Sequence, residues 1–104
     1  DPDMTPDLFY HDCPEAAVAY AMPRLTPQAS APQATPLTVT GRFASVPKFY
    51  IRCTEDHAIP PEYQAEMVQD WPRDRVFSLP TSHSPFFSDP TGLAALLDRI
   101  AAAM

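Results

Sequence analysis

Apolar residues fall into two regimes along the chain. From Val46 onward they recur in short runs or at helical spacing, and before it they are broken up by prolines. Val46–Cys53 holds Phe49, Tyr50 and Ile51 between charged residues, the pattern of a buried strand. Pro60 and Pro61 open a helix with Tyr63, Met67, Val68 and Trp71 at helical spacing, and Pro72 ends it. Arg75–Leu79 reads as a second strand. Asp89 is placed to cap a helix that starts at Pro90. Its stripe of Leu93, Leu96, Leu97, Ile100 and Met104 is the clearest amphipathic signal in the chain. Strand, helix, strand, helix implies an α/β fold with parallel strands and right-handed crossovers. Two strands do not make a stable open sheet, so the expectation is that preceding polypeptide completes it.

Residues 1–45 follow other rules. After a polar, proline-containing opening, Asp12-Cys13-Pro14-Glu15 predicts a helix start. Asp12 would be the cap, Pro14 would lie in the first turn, and Glu15 would take the capping-box position. The Ala-rich helix Pro14–Met22 should stop before Pro23. Leu25–Thr40 is rich in Pro, Gln, Thr and Ala, which favours extended, irregular chain draped over another surface.

Composition narrows the chemistry. The chain has 104 residues with fourteen prolines, and its only glycines, Gly41 and Gly92, exclude every glycine-rich phosphate loop. They also exclude a G-x-S-x-G nucleophile turn. A net charge of −6 with scattered Lys and Arg argues against a nucleic-acid partner. No run has the ~20 apolar residues of a membrane span. No membrane partner is expected, and a cytoplasmic location is favoured. Cys13 and Cys53 have no metal-ligand spacing and read as buried, reduced thiols.

In open parallel sheets, ligands bind beyond the carboxyl ends of the strands. Two loops reach that edge, Cys53–Pro60 after the first strand and Pro80–Phe87 after the second. If the strands are neighbours, Asp56 comes close to His83. A carboxylate beside a histidine can fix its tautomer and leave the other ring nitrogen free to take a proton from a hydroxyl. Asp56 precedes His83, the order of acid and base in α/β-hydrolases. Each residue alone has an ordinary reading: an Asp after a strand is commonly a turn residue, and a loop His is commonly structural. Glu55 and His57 compete for the same role. His57 is an exposed neighbour or a metal ligand, but His11 and the scattered carboxylates complete no ligand set. Ser82 and Ser84 read as loop hydrogen-bonders, and Phe86 and Phe87 as core.

Three stretches carry a resemblance. Phe9-Tyr10-His11-Asp12-Cys13, then Val46–Asp56 with the following Ile59-Pro60-Pro61-Glu62, then Thr81–Phe87 resemble the hydroxynitrile lyase and methylesterase branch of the α/β-hydrolases. The resemblance covers nearly the whole chain and implies the C-terminal part of such a protein. Residues 1–45 would be the later part of the lid, and residues 46–104 the last β-α-β-α of the core. It implies Asp56 as triad acid, His83 as general base, and Ala58, Ile59 and Ser84 facing the substrate pocket. It implies no metal or organic cofactor. The implied partners are a small-molecule ester and the N-terminal part of the same hydrolase, which would supply the serine and the oxyanion hole. The 104 residues alone would then be inactive. Hydroxynitrile lyases of this branch carry lysine directly after the histidine, where this chain has Ser84, so the resemblance favours ester hydrolysis over lyase chemistry. A lyase-type reaction and a non-catalytic binding module on the same fold are the alternatives.

Overall fold

In the computed structural model, which describes residues 1–104, two short strands pair in parallel. Strand β1 (Tyr50–Cys53) and strand β2 (Val76–Leu79) align Tyr50 with Val76 and Cys53 with Leu79. Helix α5 (Pro61–Met67) lies between them in sequence, and helix α7 (Pro90–Ala102) follows β2 after a single turn, α6 (Pro85–Ser88). This is the strand–helix order that the sequence predicts. Strand β1 is shorter than the expected Val46–Cys53. A short helix, α4 (Gly41–Ser45), runs up to Val46, Pro47 has no N–H to give to a ladder, and β2 offers partners only from Val76.

Helix α7 covers one face of the sheet. Leu96 and Ile100 pack with Leu79, and Phe49, Ile51, Phe77 and Leu93 close around them. Its start is the expected one: Asp89 Oδ1 accepts the N–H of Gly92 at 2.9 Å, with Pro90 in the first turn. The buried stripe is narrower than the sequence pattern, because Leu97 and Met104 are exposed.

Helix α5 departs further from expectation. It ends at Met67, where Val68 leaves helical geometry, and a turn closed by Trp71 N–H on the Val68 carbonyl carries the chain onward. Trp71 then packs edge-on against Tyr50, with ring centroids 6.3 Å apart. The apolar pair Tyr63 and Met67 is exposed, whereas Gln64 and Val68 are buried. Both pairs are four residues apart and so each shares a face, but the sheet takes the face that carries a polar residue.

The expected helix Pro14–Met22 is present as Glu15–Ala21, whereas the polar, proline-containing stretch before it is helical where no helix was expected. A 3-10 turn over Pro2–Met4, capped by Asp1, leads into α1 (Thr5–Tyr10), and α2 (Glu15–Ala21) follows. Asp12 does not cap α2. The residue at that position is Pro14, and the Asp12 carboxylate reaches across the molecule instead. Residues 25–40 are exposed throughout and form only one helical turn, α3 (Ala31–Ala34), consistent with their composition.

Only twelve of the 104 residues are buried. The radius of gyration is 15.7 Å, against about 13 Å for an independent compact domain of this length. The chain holds its site together without a large core of its own.

Candidate active site

The two sheet-edge loops remain paired after the strands end. Thr54 N–H donates to the Leu79 carbonyl at 2.9 Å, and Glu55 N–H to the Thr81 carbonyl at 3.0 Å. This extension of the ladder brings Asp56 beneath His83, with His83 Nδ1 2.9 Å from Asp56 Oδ2. The carboxylate is buried, and the imidazole is 31% exposed. Nδ1 is taken by the acid and Nε2 has no protein partner. Asp56 offers only acceptors, so Nδ1 carries the proton, and in the neutral ring Nε2 is then the basic nitrogen.

The other Asp56 oxygen is fixed by its own loop. Oδ1 accepts the backbone N–H groups of Ala58 at 2.7 Å and Ile59 at 2.9 Å, an Asx-type turn that sets the carboxylate plane. Ala58 and Ile59 are half-buried beside the acid. Gln64, from α5, donates through Nε2 to Asp56 Oδ2 at 3.2 Å. Asp56 thus receives two N–H groups on each oxygen.

The histidine loop is held from the opposite side by the N-terminal segment. Asp12 Oδ2 accepts the N–H of Ser82, a fully buried residue, at 2.8 Å. Burial is the largest single influence and works against the Asp12 charge, but donation from Ser82, the nearby His11 and the residue's own backbone N–H together hold the carboxyl below its ordinary range. Cys13 Sγ lies 4.0 Å from both Ser82 Oγ and the Ser84 carbonyl. Burial pushes the Cys13 and Cys53 thiols up, so both stay protonated near neutral pH. Phe9, from α1, meets the His83 ring edge-on at 5.0 Å.

Ser84 is buried, and its carbonyl accepts from Phe87 N–H and Ser88 N–H at the start of α6. Phe87 packs against Tyr10 and Tyr20, whereas Phe86 is exposed and is not a core residue. His57 is exposed and stacks on His11 with ring centroids 3.7 Å apart, while its Nδ1 is 3.3 Å from Asp7 Oδ1. His11 Nε2 is 2.6 Å from the Glu55 carbonyl. His57 therefore ties the acid loop to α1 and takes no part in the Asp56–His83 pair. Glu55 is exposed and contributes backbone groups to the ladder and to His11.

Of the residues that sequence reasoning singled out, the structure brings Asp56, Ala58, Ile59, His83 and Ser84 into one region. It adds Gln64, Asp12 and Phe9. Gln64 escaped because a polar residue inside an amphipathic helix reads as its wet face. Asp12 escaped because a local role as a cap was available to it.

Residues 1–96 match the alpha/beta hydrolase family. Methylesterase 17 of Arabidopsis thaliana is 34% identical over 105 residues, covering 96% of this chain and 38% of the relative. A pyrethroid hydrolase of Sphingobium wenxiniae is 34% identical over 89 residues, covering 85% of this chain and 32% of the relative. The crystal structure of polyneuridine aldehyde esterase superposes with a TM-score of 0.78 at 23% identity, covering 97% of this chain and 41% of that one. The chain spans about two fifths or less of the length of these proteins. The parallel strand pair, the acid and histidine on consecutive edge loops, and the match along nearly all of the sequence agree: the chain belongs to the alpha/beta hydrolase family, in the company of methylesterases and related ester hydrolases.

Proposed function

We propose that this chain is the acid–base part of a carboxylic-ester hydrolase, with Asp56 and His83 as two members of a Ser-His-Asp triad. The observation that carries the reading is the 2.9 Å contact between His83 Nδ1 and a buried carboxylate, with Nε2 left unpaired. In this reading the nucleophilic serine and the oxyanion hole belong to further polypeptide of the complete protein, since this chain spans about two fifths or less of its relatives. Residues 1–45 are the later part of the lid over the site, and residues 46–104 the end of the hydrolase core.

In this reading His83 Nε2 takes the serine proton as the oxygen attacks the ester carbonyl, and Asp56 Oδ2 stabilises the imidazolium. The imidazolium returns that proton to the departing alcohol. His83 then draws a proton from water, the hydroxide oxygen attacks the acyl-serine carbonyl, and the acid is released with the serine restored. Ala58 and Ile59, half-buried beside the acid, are the residues that would face the substrate in this reading. The residue after the histidine is Ser84, which supplies no positive charge for a departing cyanide, and this favours hydrolysis over lyase chemistry. A cleft of about 660 Å³, walled by Phe9, Met22 and Leu25 with Thr5, Thr26 and Gln28, shares Phe9 with the histidine.

The test is active-site labelling of the complete protein with a fluorophosphonate, followed by mass mapping of the modified residue. The expected result is one labelled serine, located in that further polypeptide, with labelling lost in His83→Ala. Absence of label on a folded protein contradicts the reading and leaves a non-catalytic binding module. The 104 residues alone are expected to take no label.

A further inference from the structure

The most unusual side chain in the molecule is Gln64. It is 2% exposed, on a helix whose larger apolar residues, Tyr63 and Met67, face solvent. Burying a primary amide is unfavourable unless its groups are met, and here every one is. Oε1 accepts the N–H of Cys53 at 2.9 Å. Nε2 lies 2.7 Å from the Ile59 carbonyl, 3.2 Å from the Cys53 carbonyl and 3.2 Å from Asp56 Oδ2. A donor faces Oε1 and three acceptors surround Nε2, so the network fixes which end of the amide points which way.

These contacts join three things. The pair to Cys53 imitates a peptide unit and closes the edge of β1 that faces away from β2, since the next residue, Thr54, directs its N–H to Leu79. The contact to Ile59 closes the acid loop, whose N–H groups already grip Asp56 Oδ1. The contact to Asp56 falls on Oδ2, the oxygen that meets His83.

We propose that Gln64 is a positioning residue for the acid–base pair: its amide locks Asp56 Oδ2 to the end of β1 and so holds His83 in line for proton transfer. This rests on the proposed ester hydrolysis and deepens it. Tethering by backbone N–H groups fixes one carboxylate oxygen, but the carboxylate can still tilt about that anchor. Gln64 removes the remaining freedom from the oxygen that matters. Asp56 Oδ2 retains room for the His83 proton because a carboxylate oxygen accepts two donors.

The experiment is a double-mutant cycle in the complete protein, comparing wild type, Gln64→Met, Asp56→Asn and the double variant by ester hydrolysis and thermal unfolding. Methionine keeps the length of the side chain and removes all of its hydrogen bonds. Gln64→Met is expected to lower kcat up to about a hundredfold with KM within about twofold, since loss of alignment acts on the proton-transfer step and leaves substrate binding alone. In the Asp56→Asn background the same change should cost kcat little, because the carboxylate to be positioned is already gone. A structural role would instead lower stability equally in both backgrounds and leave kcat per folded molecule unchanged. That result overturns the proposal. Gln64→Glu serves as a second variant: it keeps the shape and the Cys53 N–H contact but sets a carboxylate against Asp56, and it should lower kcat more than methionine does. If both variants fail to fold, Gln64 is a strut of the fold and the proposal is wrong. The underlying reading fails separately, and visibly, if Asp56→Asn alone hydrolyses the ester at the wild-type rate.

Discussion

At the scale of single residues, the site depends on polar groups that cross between segments far apart in sequence. Asp12 is the clearest case. Its carboxylate meets the N–H of Ser82, next to the histidine, from 70 positions away. Asp12→Ala would leave that buried N–H unmet, at a cost of about 1–3 kcal/mol, measurable by denaturant unfolding of the complete protein. The sign of its pH dependence follows from the lowered carboxyl. A carboxylate held below its unfolded value stabilises the fold above that value, near 3.8, and loses the contribution as pH falls through its folded pKa. The stability gap between wild type and Asp12→Ala should therefore be full at neutral pH and narrow in acid below about pH 4. A gap that widens in acid would contradict the assignment. Chain order and loop position made Asp56 and His83 candidates, the family resemblance implied their roles, and the structure brings the two side chains into contact. Asp12 and Gln64 gave no such pattern, since each works through a partner that only the folded chain brings near.

At the scale of elements, helix ends were legible where one residue type had one available role. Asp89 and Pro90 start α7 as the sequence implies. Strand β1 and helix α5 came out shorter than their patterns, because hydrophobic spacing does not report where a ladder partner begins or where Val68 leaves the helix. Gly92 carries a further consequence of the α7 cap. A Cβ there would lie 2.1 Å from Asp89 Oδ2 and 2.7 Å from Asp89 Cγ, so a side chain would displace the capping carboxylate. Replacing helical Gly by Ala ordinarily gains up to about 1 kcal/mol, and loss of the cap costs about as much. Gly92→Ala should therefore bring no gain, or a loss, in the wild type. In an Asp89→Ala background the cap is already absent, and Gly92→Ala should then stabilise. Thermal unfolding of the four variants checks the reversal, and a gain in both backgrounds would refute it.

At the scale of the whole molecule, the strand–helix order implied a parallel α/β fold, and the resemblance of three stretches, Phe9–Cys13, Val46–Glu62 and Thr81–Phe87, implied the α/β-hydrolase family. The helical packing of the N-terminal segment was not legible, because prolines and polar residues conceal how Phe9 and Asp12 engage the histidine loop. The core is small and the shape open. If Asp56 and His83 act together as acid and base, steady-state kinetics of the complete protein on an activated carboxylic ester will show it. His83→Ala and Asp56→Asn should each lower kcat by about ten-thousandfold, with unfolding temperatures close to wild type. A folded variant of either residue that loses less than about a hundredfold would contradict it.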